Sequence, residues 1–209
     1  MDEVLETPAA TPSAEQAAAE GIDAKGLGIR VLAFVIDGAA VMAAEVPSLL
    51  VAYPTAAVVM WLALGRPGHT IGFEKGNPWP EAIASAVIMP FFYFLLFEWL
   101  YGATPGKVLL NMRVVRDDGR PCGFRAAAVR GLLRYVDGLI AGLGLWLLMR
   151  RPPHRRLGDR AAGTLVVDAH SPLVRRRPGR AWFVIAAAVY FILRCVINGL
   201  GFALTLRFE

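Results

Sequence analysis

Ile29-Arg30-Val31-Leu32-Ala33-Phe34-Val35-Ile36-Asp37-Gly38 decides how this chain is read. An arginine opens a long apolar run, and an aspartate follows seven residues later. On an α-helix seven residues make two turns, about 10.5 Å of rise, and the two side chains fall on nearly the same face. The apolar run continues to about Leu64, which places the aspartate inside a membrane span. A carboxylate at that depth costs roughly 2.5–3.5 kcal/mol on insertion scales. The stretch therefore predicts a membrane protein that carries charge within its helices.

Composition agrees. Of 209 residues, 56% are hydrophobic, and the mean hydropathy is +0.49, above that of ordinary soluble domains. The net charge of +5 comes from arginines that flank apolar runs. That placement suits anionic lipid headgroups and cytoplasmic loops, and it argues against a nucleic-acid-binding face. Cys122 lies in a polar loop and Cys195 in an apolar run, so neither a disulfide nor a metal site is expected.

Residues 1–25 are acidic, rich in Ala, Pro and Thr, and aperiodic, which predicts a disordered acidic tail. A first span is expected from about residue 28 to 46, followed by a bent or interfacial extension, because Pro47 and Pro54 interrupt the run. Residues 65–81 read as a loop with an interfacial Trp79. A second span covers 82–101, and Glu98 beside Trp99 reads as its interfacial exit. The third is 181–206, after the basic residues Arg175–Arg177 and Arg180.

Between the second and third spans the pattern changes. Val108–Arg116 is short and β-like, and Asp118-Gly119 is a hairpin turn signal. Thr104-Pro105-Gly106-Lys107 is no phosphate loop, since the glycine spacing is one short and Val108 stands where Ser or Thr belongs. Residues 126–149 are apolar but carry Arg130, Arg134 and Asp137. The segments on either side, 102–125 with five Lys/Arg and 150–180 with nine arginines, both read as cytoplasmic. The stretch between them is therefore expected to be re-entrant, turning near Gly142–Gly144, or else to be a fourth helix. A re-entrant course lets Met112–Val115 pair with Leu165–Val167. Residues 29–40 and 129–140 also echo each other at an offset of 100: Arg30 with Arg130, Leu32 with Leu132, and Asp37-Gly38 with Asp137-Gly138. Either an internal repeat, as in many transporters, or chance in an apolar sequence produces such an echo.

These pieces predict an all-α membrane protein with three full transmembrane helices plus a re-entrant or fourth helix, and a small cytoplasmic β-hairpin or sheet. Its parts are the tail 1–25, a membrane domain 26–168, and a basic linker with a C-terminal transmembrane helix in 169–209.

The set resembles the RDD family of bacterial membrane proteins, named for one arginine and two aspartates. Arg30 and Asp37 match the first two. Gly102-Ala-Thr104-Pro-Gly106-Lys107 and Arg113-Val114-Val115 are similar to the family's G-x-T-x-G-K and R-V-V segments. Asp118-Gly119 falls at its D-G turn, and Asp159-Arg160-Ala-Ala-Gly163-Thr164-Leu-Val166-Val167 resembles its closing motif. Asp159 best matches the second naming aspartate, and Asp137 aligns with a further common one. The resemblance implies a bacterial inner-membrane protein, and keeping the basic segments cytoplasmic gives it a multi-pass course with a cytoplasmic N-terminus. The resemblance also brings in cation/proton exchange, suggested for some members.

Two functions follow from the candidate charges Arg30, Asp37, Arg130, Arg134, Asp137 and Asp159. One is transport of a small ion or solute by cation/proton exchange. The other is a structural or regulatory role in which Arg–Asp pairs hold helices together and basic loops bind lipid or a partner. The expected partners are membrane lipids, with a homo-oligomer or membrane partner left open, and no nucleic acid. No enzyme, metal or cofactor is expected. The histidines, His69, His154 and His170, are scattered, and no nucleophile motif is present.

Overall fold

A computed structural model of the chain describes residues 25–64, 83–139, 155–175 and 178–205. Residues 1–24 of the acidic tail, the loop at 65–81 and the turn expected at Gly142–Gly144 lie outside the described residues. Helix α1 is Leu27–Ala43 and α2 is Glu45–Leu64. Of the two expected courses, bent or interfacial, the first matches: the first span continues as helix after a break at Ala44. The break lies three residues before Pro47, whose ring and missing N–H disfavour the helical ladder there. Pro54 is accepted inside α2, and next to it the Thr55 hydroxyl donates to the Val51 and Ala52 carbonyls. A π-turn over Ala84–Ile88 leads into α3, Met89–Leu100, just before Pro90. The last helix, α7, is Arg180–Thr205.

Leu27–Val59 and Arg180–Phe202 are long and apolar enough to cross a membrane, with only 11% and 22% of their apolar windows buried. Soluble core helices bury such faces. Here Val31, Leu32, Phe34 and Val35 on α1 and Val184, Ile192 and Leu200 on α7 stand exposed, an arrangement suited to lipid. The expected second span, 82–101, holds only the shorter apolar run Ser85–Leu100, so two of the three expected spans are long enough to cross among the described residues. That shorter run is also the most enclosed, with Tyr93–Glu98 all buried. Phe97 stacks near Phe183 and Tyr93 near Tyr190, so α3 and α7 run antiparallel. Tyr53 stacks on Phe202 and Ser48 meets Asn198, so α2 and α7 run parallel.

The sheet is where the expectation and the structure part in detail. Strand β1, Met112–Arg116, pairs antiparallel with β2, Thr164–Asp168, in the register Met112↔Asp168 to Arg116↔Thr164. The pairing of Met112–Val115 with Leu165–Val167 is as expected. The hairpin at Asp118-Gly119 is not: after that turn the chain makes a single bridge, Val115↔Pro121. Proline cannot supply a ladder donor, which stops a second strand there. One sheet face, Met112, Val114 and Val166, packs with Ala33, Leu95 and Ala127, while Val115, Leu165 and Val167 are covered by Leu173. Two short helices join sheet to bundle, α4 (Pro105–Leu109) and α6 (Leu157–Ala161), and α5 (Phe124–Leu139) lies along α3. Phe124 meets Trp99, and the Tyr135 hydroxyl donates to the Val87 carbonyl, so α5 runs back along α3.

Candidate functional site

The buried charges meet where α1, α3, α5 and the sheet converge. Arg130, fully enclosed on α5, is the centre. Its Nε donates to Glu98 Oε2 at 2.8 Å, and its Nη1 donates to Asp159 Oδ1 and to Thr164 Oγ1 (2.7 Å). Glu98 also accepts from Lys107 Nζ and from Arg134 Nη2 at 3.0 Å. Asp159 receives Arg30 Nη1 at 2.7 Å and Arg156 Nε at 3.2 Å. A fork-shaped guanidinium suits this work, because it can reach two carboxylates in fixed directions. The Arg134 guanidinium in turn lies 3.4 Å from the Phe94 ring centroid.

Arg30 ties α1 to the sheet as well. Its Nε donates to the Lys25 carbonyl at 2.9 Å and its Nη2 reaches the Val166 carbonyl at 3.4 Å, while Lys25 pairs with Asp168 at 2.7 Å. Asp159 sits at N3 of α6 and also accepts from the Arg156 backbone N–H, closing the helix start. Burial alone would raise the Asp159 carboxyl. Arg130, Arg156 and Arg30 outweigh it and hold that group well below the usual carboxylate range. Lys107 moves the other way: burial, and then its cationic neighbours, bring it down to about 8 against the pull of Glu98.

Among the described residues, Asp37 does not take part in an Arg–Asp pair of the kind the sequence suggests. Oδ1 accepts from the Tyr93 hydroxyl at 2.9 Å and the Gly106 N–H at 2.7 Å, and Oδ2 accepts from the Thr104 hydroxyl at 2.6 Å. Three neutral donors replace one arginine. They come from α3 and from the Thr104–Lys107 segment, so the motif that is no phosphate loop is a carboxylate cradle. Gly106 is required there, since a Cβ would stand 2.3 Å from the Ala33 carbonyl. Glu98, expected at an interface, is instead fully buried among three cations.

The two heptads that echo each other border one cavity. Arg30 and Arg130 converge on Asp159, and Asp37 and Asp137, two turns further along their helices, both line a cavity of about 210 Å³ between α1 and α5. Asp137 is buried, with Arg156 at 4.0 Å. All six candidate charges thus lie in one neighbourhood. Sequence reasoning missed Glu98 as a member, and also Tyr93, Thr104, Lys107 and Arg156. The G-x-T-x-G-K spacing was the one available signal for Thr104 and Lys107.

Among the described residues no His/Cys/Asp/Glu group is arranged to hold a metal ion. No curated protein and no solved structure gave a significant match. The family model described as RDD family matches residues 24–163, a span that holds every member of the cluster from Arg30 to Asp159. By that match over more than half its length, this chain is a member of the RDD family.

Proposed function

We propose that this is a multi-pass inner-membrane protein in which the charge cluster is a permanent lock between membrane helices and a cytoplasmic sheet, serving a structural or regulatory role. The observation that carries this reading is Asp159. One carboxylate is engaged at once by Arg30 from α1, Arg130 from α5 and Arg156 beside α6. A group so tied is a poor carrier, because releasing it would strand several buried charges together. The shared sheet supports a re-entrant course for 126–149, since β1 and β2 must lie on the same side of the membrane. The basic segments around them favour the cytoplasmic side and contact with anionic lipids.

Cation/proton exchange is the second reading, and one observation favours it. Asp37 and Asp137 border a common cavity, and Asp37 is bonded only to neutral donors among its described contacts. Flux in liposomes of the purified protein separates the two. The lock predicts no proton-coupled movement of Na⁺ or K⁺; measurable flux that disappears in Asp37→Asn would overturn it. Topology is tested by thiol labelling at Arg120→Cys and His170→Cys, both exposed positions. Native Cys122 is unsuitable, being buried with its thiol pushed up to about 11. Labelling from the same, cytoplasmic side is expected, and labelling from opposite sides would restore a full crossing at 126–149.

A further inference from the structure

We infer that the cavity between α1 and α5 is a binding site for a phosphate-bearing anion. Five cationic side chains line it: Arg30, Lys107, Arg130, Arg134 and Arg156. The carboxylates within and behind it are Asp37, Asp137, Glu98 and Asp159. With all of them ionised, five cations meet four carboxylates, which leaves one positive charge uncompensated. A metal cation would worsen that balance; a monoanion closes it.

Hydrogen bonding asks for a ligand that accepts on one side and donates on the other, as a protonated phosphate or a hydroxyl-bearing headgroup does: both Asp137 oxygens are buried without a partner among the described residues. Arg130 is fully buried, yet its Nη2 has no partner among the described residues, and Arg134 Nε is likewise unpartnered. Buried guanidinium N–H groups normally find acceptors, and phosphate oxygens are well matched to guanidinium forks. At about 210 Å³ the space exceeds the ~150 Å³ engineered cavity that admits benzene. The remaining wall is apolar, formed by Leu27, Val31 and Phe34 of α1, and the last two are half exposed on the face suited to lipid. A cationic floor beneath an apolar wall fits a phospholipid, headgroup inward and chain along α1. Free phosphate offers the same oxygens without the chain.

The inference leans on the proposed membrane placement only for the choice between these sources; phosphate binding itself does not depend on it. Full-length protein is stripped of lipid in detergent and titrated with inorganic phosphate, with chloride at equal ionic strength as control. In parallel it is placed in nanodiscs of phosphatidylcholine with or without phosphatidylglycerol. The thermal midpoint is read throughout, and retained lipid by native mass spectrometry. A saturable rise in midpoint is expected in at least one arm. A rise with phosphatidylglycerol alone assigns the site to a headgroup, and a rise with inorganic phosphate assigns it to an aqueous anion. Arg134→Gln combined with Arg156→Gln turns the balance negative while leaving Glu98 and Asp159 each with two other cations. Binding should weaken by about tenfold or more. Asp137→Asn removes a negative charge, without removing any contact to Glu98 or Asp159, and should tighten binding, so the test survives poor folding of the double variant. Absence of any saturable effect in both arms, or unchanged affinity in Asp137→Asn, overturns the site. Ion flux in liposomes with phosphate binding intact would sink the lock reading alone.

Discussion

Two of the polar contacts among the described residues are built on different plans. The first is the cluster around Arg130, where charges from α1, α3, α4, α5 and α6 interlock and Glu98 and Asp159 each meet three cations. The second lies between α2 and α7. Arg194 pairs there with Glu45 and donates to the Tyr190 hydroxyl at 2.9 Å, and Asn198 Nδ2 donates to Ser48 Oγ at 2.9 Å. Fifteen helical residues separate Arg30 from Glu45, so the contacts lie about 22 Å apart along the first span. The first joins helices to a sheet, and its charged side chains from Arg30 to Asp159 lie within the matched region, although strand β2 follows it; the second joins two helices and depends on α7, beyond that region. A charge network can hold unlike elements in one geometry because each bond constrains the next, whereas a pairwise contact only sets the register of two helices already packed by their apolar faces.

The difference makes Arg130 the most sensitive position. Arg130→Met would leave Glu98 and Asp159 buried with diminished compensation, at a cost of about 3–5 kcal/mol. Arg130→Lys should not rescue it, because one ammonium cannot reproduce bonds leaving Nε and Nη1 in different directions. Both should lose monodisperse protein on size exclusion after detergent extraction. Near-normal recovery of Arg130→Met would show that the cluster is not a lock.

Asp159→Asn comes next, at about 2–3 kcal/mol, because Arg130 keeps Glu98 while Arg30 and Arg156 lie nearer to water. It has a pH signature. The folded-state Asp159 lies below its ordinary value, so its contribution is present above about pH 4, where the unfolded group is ionised, and declines as pH falls from there toward the lower folded value. The wild-type thermal midpoint should fall over that acidic window and the Asp159→Asn curve should be flatter. Parallel curves would remove Asp159 from the acid response.

Much of the first contact was legible as residues and little as bonds. The two heptads, the G-x-T-x-G-K segment and the closing motif all stand in the sequence, and the strand pairing followed from keeping two basic segments on one side. The partners did not follow. Arg30 and Asp159 are 129 residues apart, and Asp37 meets Tyr93, Thr104 and Gly106 at separations of 56, 67 and 69. Helical periodicity says which side chains share a face and nothing about which helix comes opposite. Glu98 was misread for a local reason: it stands between Phe97 and Trp99 at the end of an apolar run, where an interfacial glutamate and a buried one look alike. Asp118-Gly119 did form a turn, but Pro121 denied it a strand.

Asp37→Asn should cost less than either change above, about 1–2 kcal/mol. The asparagine oxygen can keep the Tyr93 and Gly106 donors, and the Thr104 hydroxyl can rotate to accept from its amide. No arginine is stranded. Accumulation should therefore stay close to wild type. A loss as large as that of Arg130→Met would place Asp37 inside the lock and erase the distinction between neutral and charged partners.

The smallest effect belongs to the second contact. Asn198 is buried, but only its Nδ2 is engaged, with Ser48 Oγ at 2.9 Å and Glu45 Oε1 at 3.4 Å, while its Oδ1 has no partner among the described residues. Interhelical hydrogen bonds within membranes average about 0.6 kcal/mol, because the separated helices also find partners. Asn198→Ala should cost about that much, and the stacked Tyr53 and Phe202 should keep the helices in register. A double-mutant cycle with Ser48→Ala isolates the bond, and a coupling of a few tenths of a kcal/mol is expected. If the coupling instead approaches the loss in Arg130→Met, the α2–α7 contact is as binding as the cluster, and the contrast between network and pair fails.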